Sequence, residues 1–299
     1  MQFEELKTFI HLCEIRNFTK TAEMLSMSQP TVSLHIKNLE DEFKTQLIQR
    51  NSKQLHVTPT GEILLEGAKQ VLQLFEQMKQ DIFEHHHEIQ GNLKIGASFT
   101  IGEYILPSML VQLKNTYPEL AIEVVIGNTN EIVEYVKLLK VDIGLIEGNT
   151  NEKSISIFPF KRDDLVVVAP MNHRLAQQSS ISISELQNEQ WISREVGSGT
   201  RANFDHFLHS NGLKVKAITT ISSNQGIKES VRNGLGISLL SKSVIERDVE
   251  LGEIVMLPIK NIKISRTLSY IYSPVMLKNS NVETFVEALN EKWQINYAR

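Results

Sequence analysis

An α/β fold preceded by a winged helix-turn-helix is predicted from three features of the 299-residue sequence. Apolar residues recur at helical spacing in the N-terminal part, a hairpin with a polar tip follows, and strands alternate with helices from Gly91 onward. A chain of this length exceeds the usual size of one domain, so roughly two domains are expected. We divide the chain into residues 1–58, a connecting helix over residues 59–90, and an α/β domain over residues 91–299.

Composition indicates an ordinary globular protein that stays in the cytoplasm. The sequence is 41% hydrophobic and 22% charged, without a low-complexity stretch. Its start carries acidic residues where a signal peptide carries basic ones, and no apolar run reaches the roughly 18 residues that a membrane span needs. Cys13 is the only cysteine, which excludes an internal disulfide and a cysteine-rich zinc site. We therefore expect no membrane partner, no metal and no cofactor.

Two helices are predicted before residue 26. Phe3, Leu6, Ile10 and Cys13 are spaced three and four residues apart, which predicts a first helix with one buried face. Thr19 is the expected cap of a short second helix.

The third predicted helix carries small polar residues at its start. Ser28 is its expected cap, and Pro30 lies in the first turn, where a missing N–H does no damage. The inward stripe consists of Val32, Ile36, Leu39 and Phe43. The opposite face consists of Gln29, Thr31, Ser33, His35 and Lys37. This helix follows a short helix and a tight turn. That arrangement places the second of the two helices in the major groove of DNA.

A β-hairpin is predicted between residues 47 and 57, with Arg50 and Lys53 on it. We expect these two side chains to contact DNA phosphates, which orient a protein without reading sequence. The net charge of −4 argues weakly against a nucleic-acid binder. Residues 43–57, however, contain Lys44, Arg50 and Lys53 and no acidic residue, and this local excess suits phosphates.

A long helix that forms dimers is predicted from Pro59 to about Glu88. Its apolar residues follow an a/d heptad pattern, namely Leu64, Ala68, Val71, Phe75, Met78 and Ile82. The small N-terminal domain alone is not expected to cover this stripe, so we predict a homodimer through it. The alternative is packing against the chain's own C-terminal domain. His85–His87 are not expected to bind a metal, because consecutive helical residues point about 100° apart.

The C-terminal part predicts two successive α/β units. Strands at 93–97, 121–126 and 141–146 alternate with helices and form a parallel lobe. A second unit begins near Asp163, with strands at 165–169, 191–193, 218–221 and 236–240.

Polar residues cluster where ligands of parallel sheets bind, at the carboxyl ends of strands and beside helix N-termini. In the first unit these residues are Ser98, Thr100, Thr129 and Glu147. In the second unit a glycine turn opens a helix with Ser198, Gly199, Thr200 and Arg201. Such a helix start carries partial positive charge and suits an anion. We therefore predict that these residues bind a small anionic effector, although capping explains a glycine turn equally well.

Glu147 is an unexpected member of this set. A carboxylate near an anion pocket repels the ligand unless the carboxylate is protonated or paired. We therefore expect it to select a ligand that carries a proton, or to couple binding to pH. The alternative is a surface glutamate that ends a strand.

The N-terminal sequence resembles the DNA-binding domain of LysR-type transcriptional regulators, and the similarity continues through the chain. The resemblance lies in the run NFTKTAEMLSMSQPTVSLHIKNLEDEFKTQLIQRNSKQLHVTPTGE. Its motifs are Thr21-Ala22-Glu23, Ser28-Gln29-Pro30, Leu39-Glu40 and Thr58-Pro59-Thr60-Gly61. This resemblance implies base or phosphate contacts by Gln29, Pro30, Thr31, Ser33 and Arg50.

Three positions depart from the family pattern. Lys44 stands where glycine is usual, Ile48 replaces a common phenylalanine, and His35 occupies a position that is often arginine or glutamine. Histidine at this position thus differs from the residue types that make the usual base contact there.

The resemblance also implies two lobes joined by two crossover strands, as in a periplasmic binding protein. Lobe 1 comprises residues 91–162 and 266–299, and lobe 2 comprises residues 163–265. Implied partners are double-stranded operator DNA, a small-molecule effector and further copies of the chain in a homodimer or homotetramer; contact with RNA polymerase is left open. The combination of LIEG and GSGTR resembles the subgroup that controls sulfur assimilation, which implies an effector such as sulfite.

Two other classes of protein share an α/β architecture of this kind. An enzyme is disfavoured because the sequence lacks G-x-S-x-G, a P-loop, a Rossmann glycine fingerprint and a paired Cys or His ligand set, so no catalytic residue is expected. A solute-binding transport protein would need an export signal and no DNA-binding head.

Overall fold

The computed structural model of the chain describes residues 2–51, 54–84, 91–215, 217–276 and 279–293. The chain divides into two compact units, residues 1–86 and residues 87–299. Among the described residues, no helix combines the length and the apolar character that crossing a bilayer requires.

The first unit contains the three predicted helices, the hairpin and a long helix. The helices are α1 (Phe3–Ile15), α2 (Phe18–Met24), α3 (Gln29–Phe43) and α4 (Pro59–Glu84). The strands β1 (Ile48–Asn51) and β2 (Gln54–Val57) form the antiparallel hairpin.

The caps of α2 and α3 define the turn between them. Ser28 caps α3 as predicted, because its hydroxyl accepts a hydrogen bond from the Thr31 N–H at 3.2 Å. The predicted cap at Thr19 is wrong, since α2 begins at Phe18 and the Asn17 side chain accepts from the Lys20 N–H at 3.0 Å. An asparagine just before the first helical residue is well placed to satisfy a first-turn amide.

The core of this unit forms where α1 crosses α3. Phe9, Leu12 and Leu39 are fully buried there. Phe43 was predicted to face inward, but its side chain is 45% exposed. It is the last residue of α3, and Lys44 after it ends the helix in a left-handed conformation with φ of 50°.

Residues of the Leu39-Glu40 and Thr58-Pro59-Thr60-Gly61 motifs attach the hairpin to the helices. The Glu40 carboxylate accepts hydrogen bonds from the N–H groups of Leu47 and Ile48 at 2.9 and 3.2 Å. The Thr58 hydroxyl donates to the Gln46 carbonyl at 2.7 Å. A Cβ on Gly61 would lie 2.3 Å from the Leu47 carbonyl oxygen, so only glycine allows α4 to start this close to the hairpin.

The apolar stripe predicted on α4 is partly occupied within its own unit. Ala68 is buried, Leu64 packs against the core, and the Phe75 ring lies 4.5 Å from the ring of Phe3. Leu64, Ala68 and Phe75 of the predicted stripe are therefore covered within their own unit. Val71 and Met78 of the same stripe are exposed, together with Ile63 and Leu74, so contact with a partner stays a prediction for the exposed part of the stripe. The side chain of Ile82 and residues His85–His87 lie outside the described part of the chain.

The first half of the second unit forms a parallel layer. The strands β3 (Gly91–Ser98), β4 (Leu120–Gly127) and β5 (Ile143–Glu147) are parallel, with β3 in the middle. A π-helical turn (Ile101–Ile105) leads into α5 (Leu106–Thr116), and α6 (Thr129–Lys137) follows β4. The carboxyl ends of β3, β4 and β5 thus meet at one edge, as the sequence predicts.

The middle of the unit builds the second lobe around β6 (Ser156–Pro170), which is much longer than the predicted strand. The other strands are β7 (Trp191–Ser193), β8 (Ile218–Thr220), β9 (Ile237–Ser241) and β10 (Ile254–Met256). The helices are α7 (Gly199–Ser210), α8 (Asn224–Arg232) and α9 (Lys242–Glu250).

The chain returns to the first lobe through β11 (Ile264–Tyr272) and α10 (Ser280–Trp293). The strand β11 lies antiparallel between β5 and β6, so β6 and β11 are the two crossover strands. Phe285 and Leu289 of α10 are buried in the same core as Leu93 and Ile95 of β3. The two lobes therefore share one continuous sheet, whose strand order is β4-β3-β5-β11-β6-β9-β7-β8.

Candidate functional site

The first candidate site is the exposed start of α3. Gln29 and Pro30 are exposed and Thr31 and Ser33 are half-buried. The Gln29 amide donates a hydrogen bond to the Ser33 hydroxyl at 2.7 Å. This bond holds the glutamine side chain along the helix, where an amide group is suited to hydrogen bonding with the edge of a base. Lys37 is exposed one turn further along α3.

His35 was predicted on the DNA-facing side of α3, and in the structure one edge of its ring contacts α1. Its Nδ1 lies 2.8 Å from the Thr8 hydroxyl of α1, so the ring turns towards the neighbouring helix instead of the outer face. The reason is helical spacing, because position 35 lies beside the buried stripe of Val32 and Leu39. The backbone of Arg50 lies in β1, while its side chain and all of Lys53 lie outside the described residues.

The second candidate site is a cavity of about 530 Å³ between the lobes of the second unit. Of the residues predicted to bind an effector, the cavity is lined by Thr129, Glu147, Ser198, Gly199 and Arg201. Residues that the sequence did not single out also line it, among them Asn130, Asn149, Asn203 and Arg266. Its volume lies within the usual range of small-molecule sites.

Glu147 is buried in an ion pair with Arg266. The guanidinium of Arg266 donates to Glu147 Oε2 at 2.5 Å and to Asp163 Oδ2 at 2.8 Å. Its other contacts are the hydroxyls of Thr200 at 2.8 Å and Thr100 at 3.1 Å. These five residues, Arg266, Glu147, Asp163, Thr100 and Thr200, form what we call the Arg266 network.

The network keeps Glu147 ionised. Burial raises the pKa of its carboxyl group, but the charge of Arg266 and hydrogen bonds from Thr100 and Thr200 outweigh burial and hold the pKa below its ordinary value. The carboxylate accepts from the Thr100 N–H at 2.9 Å and from the Thr200 hydroxyl at 3.0 Å. The alternative of a surface glutamate is therefore wrong, and Arg266 supplies the pairing that a carboxylate beside an anion pocket requires.

Thr100 and Thr200 are brought together as predicted, but they contact the protein's own ion pair instead of lining the cavity. Ser98 is also buried away from the cavity, and its hydroxyl has no hydrogen-bond partner among the described residues. Arg266 was missed, although an arginine within the apolar strand sequence ISRTLSYIY was a signal of a buried charge.

The start of α7 presents uncommitted donors to the cavity. The Ser198 hydroxyl makes no capping bond, and no described residue pairs with it. Gly199 lies so close to β5 that an added Cβ would be 2.3 Å from the Glu147 carbonyl oxygen. The first-turn N–H groups of a helix carry partial positive charge, so this end of the cavity suits an anion.

Arg201 is partly committed to other groups. Its Nε donates to the Asp205 carboxylate at 2.9 and 3.0 Å, and its Nη1 donates to the Arg194 carbonyl at 3.2 Å. Its Nη2 has no acceptor among the described residues. Since Glu147 and Asp205 balance Arg266 and Arg201, the charged side chains lining the cavity sum to zero. An anion here is held mainly by N–H and hydroxyl donors.

Two family models together match most of the chain. The model of the bacterial regulatory helix-turn-helix protein, lysR family, matches residues 3–62, and the LysR substrate binding domain model matches residues 86–294. The HTH-type transcriptional regulator CysL from Bacillus subtilis (strain 168) is 54% identical over 294 residues, which cover 98% of each chain.

Solved structures show the same architecture. The CcmR regulatory domain of Synechocystis PCC6803, in complex with 2-PG, is 27% identical, with a TM-score of 0.64 over 69% of this chain and 98% of that chain. A full-length OxyR variant from Pseudomonas aeruginosa is 24% identical, with a TM-score of 0.72 over 97% of this chain and 95% of that chain. The OxyR likeness shows the fold alone.

Replacing Glu147 by Gln tests the ion pair in the Arg266 network. Because the folded pKa of Glu147 is depressed, its carboxylate stabilises the fold above the ordinary pKa near 4.5, and this stabilisation is lost as pH falls through the folded pKa. We expect Glu147→Gln to lower the free energy of unfolding at pH 7 by about 1.5–3 kcal/mol, the net value of hydrogen bonds to a charged group. Denaturant unfolding of the unchanged protein and of Glu147→Gln at several pH values measures this difference in the free energy of unfolding.

The difference between the two proteins should be constant from pH 8 to about pH 5 and shrink below about pH 4.5. The exposed Glu287→Gln is the control, since its side chain has no ion pair among the described residues. A difference that stays constant down to pH 3 would contradict the assignment.

Proposed function

Because the chain belongs to the LysR family of transcriptional regulators, we propose that it controls sulfur-metabolism genes in response to a small anion bound between its lobes. It has a helix-turn-helix DNA-binding domain and an effector-binding domain. Its relatives are named as transcriptional regulators and not as enzymes. The observation that carries the effector proposal is the cavity at the start of α7, with the uncommitted Ser198 hydroxyl and Arg201 Nη2.

Sulfite is the proposed effector. The 54% identity with CysL supports a role in sulfur metabolism. A small oxyanion can accept several hydrogen bonds at once from the first-turn N–H groups of α7, the Ser198 hydroxyl and Nη2 of Arg201. The neutral balance of charged side chains favours a small, lightly charged anion over a polyanion.

The proposed reading surface is the start of α3, with Gln29, Pro30, Thr31 and Ser33 directed to base edges or phosphates. Lys37 and Arg50 are proposed to contact phosphates. Lys53 stays a prediction of the same kind. His35 is not proposed as a base contact, because it is bonded to Thr8.

A homodimer is proposed through the exposed stripe of α4. Ile63, Val71, Leu74 and Met78 leave 73%, 46%, 42% and 51% of their surface exposed. Such a stripe on a long helix is stabilised when a second helix covers it. A ligand that binds one arrangement of the lobes more tightly than another then shifts the packing of the copies and the spacing of the two DNA-binding heads.

Gln29→Ala tests the reading surface. Loss of a side-chain contact with a base is expected to cost about 1–3 kcal/mol, which is roughly 5- to 150-fold in affinity. Footprinting on the DNA upstream of the protein's own coding region identifies the operator sequence. Fluorescence anisotropy then measures binding to the operator duplex and to a scrambled duplex.

Binding of Gln29→Ala to the scrambled duplex should equal that of the unchanged protein, because phosphate contacts remain. The exposed Glu66→Ala on α4 is the control variant. Equal weakening on both duplexes would argue against base reading by Gln29.

Leu74→Asp tests the dimer stripe. A carboxylate at the centre of an apolar seam is desolvated without a partner, so we expect the dimer to dissociate at micromolar concentration. Sedimentation velocity measures the mass. Gln73→Asp adds the same charge about 100° around the helix and should leave the dimer intact. A dimeric Leu74→Asp would sink this assignment.

A titration calorimetry series with sulfite, sulfate and acetate tests the effector. We expect saturable heat with sulfite, and we expect Ser198→Ala to weaken it about 10- to 150-fold through loss of a hydrogen bond to a charged group. Ser180→Ala, at an exposed loop position, is the matched control. No heat with sulfite would exclude sulfite, and an unchanged affinity in Ser198→Ala would exclude this cavity.

A further inference from the structure

A second cavity, of about 630 Å³, lies in lobe 2 beside the crossover strands. It shares no lining residue with the cavity at the start of α7. Aliphatic side chains make up most of its lining, including those of Leu165, Val167, Leu257, Ile259, Ile262 and Ile264. Leu165, Val167 and Leu257 are buried, so its floor belongs to the core of the lobe.

The pairing of β6 creates this cavity. Leu165 of β6 pairs with Ile264 of β11, and Val168 pairs with Met256 of β10. Only Val166 and Val167 lie between these pairs, and they face the whole connecting segment 257–263. Leu257, at the start of this segment, donates to the Val167 carbonyl at 2.8 Å, and Ile259, Ile262 and Lys263 of the segment line the cavity.

The charged residues around the cavity are mostly cations. Arg162, Lys242 and Lys263 line it together with a single carboxylate, Asp164. Lys242 and Lys263 make no side-chain hydrogen bond or ion pair with any described residue. Arg162 and Asp164 are 3.8 Å apart with largely exposed side chains, which is a weak pair. The side chains that line this cavity therefore carry a net positive charge, in contrast to the net charge of −4 of the whole chain.

An aliphatic pocket with unpaired ammonium groups at its rim fits a ligand with an aliphatic body and an anionic head. The lining contains no aromatic side chain, so nothing in it favours a planar ring over a flexible chain. We propose that this cavity binds a medium-chain aliphatic carboxylate, with its head at Lys242 and Lys263 and its chain between Ile259 and Ile262.

The second cavity lies next in sequence to residues that belong to or contact the Arg266 network. Arg162 and Asp164 line the cavity, and Asp163 between them accepts from Arg266 at 2.8 Å. Lys242 lines the cavity, and Ser241 before it donates to Asp163 at 2.7 Å. A carboxylate at the rim therefore lies beside residues that are one position in sequence from Asp163 on β6 and from Ser241 before α9.

Octanoate titrated into the full-length protein tests the proposal by calorimetry. We expect one octanoate per chain and an affinity that falls about fourfold for each methylene removed, in the series from octanoate to butanoate. Octanol, which has the chain without the charge, should bind at least tenfold more weakly. The double variant Lys242→Gln, Lys263→Gln should weaken octanoate by tenfold or more.

Lys260→Gln is the matched control, because Lys260 is exposed on the same segment and does not line the cavity. Ser198→Ala should leave octanoate binding unchanged, which separates this proposal from the proposed effector site. Absence of octanoate binding at millimolar concentration, or equal weakening by Lys260→Gln, would overturn the proposal. The proposal would also be overturned if octanoate did not bind and the double variant had a different sedimentation coefficient from the unchanged protein. That result would assign this face to contact with a second copy of the chain.

Discussion

The arrangement of the second unit depends on one buried arginine. Arg266 lies on a crossover strand, and its side chain and those of Glu147 and Asp163 are each at most 2% exposed. Desolvating three charges is costly, and the cost is offset only because each charge finds a partner and further hydrogen bonds. Thr100 and Glu147 belong to lobe 1 and Thr200 belongs to lobe 2, so the Arg266 network exists only when the lobes lie together.

This requirement changes what a ligand can do in the cleft. The Thr100 N–H and the Thr200 hydroxyl are donors of the kind that bind an oxyanion, but here they already bind the carboxylate of Glu147. A ligand in the cavity has to use donors that remain, and those at the start of α7 are among them. It therefore adds to an arrangement that the protein's own charges already stabilise, and its effect on the lobes depends on how differently it binds each of their arrangements.

Local patterns in the sequence predicted the elements and which ends of strands meet. Helical spacing of apolar residues and the Ser28 cap predicted α3. The polar residues after β3, β4 and β5 identified the edge of the sheet where these strands end. Contacts distant in sequence were not predictable in this way. Glu147 and Arg266 are 119 positions apart, and His35 pairs with Thr8 from 27 positions away. The sequence did not separate the covered from the exposed part of the α4 stripe for a related reason, since periodicity shows that a face is apolar but not which neighbour covers it.

The alternation of side chains along β6 explains how one strand serves two environments. Successive residues of a strand point to opposite faces, so Asp163 reaches the Arg266 network while Arg162 and Asp164 reach the other side. Because β6 and β11 are the only strands that pair across the lobe boundary in the described sheet, any relative movement of the lobes must pass through this pair. A packed strand pair with buried charges tends to occupy discrete arrangements and does not deform continuously. The crossover is therefore the part of the domain through which a change in one lobe reaches the other.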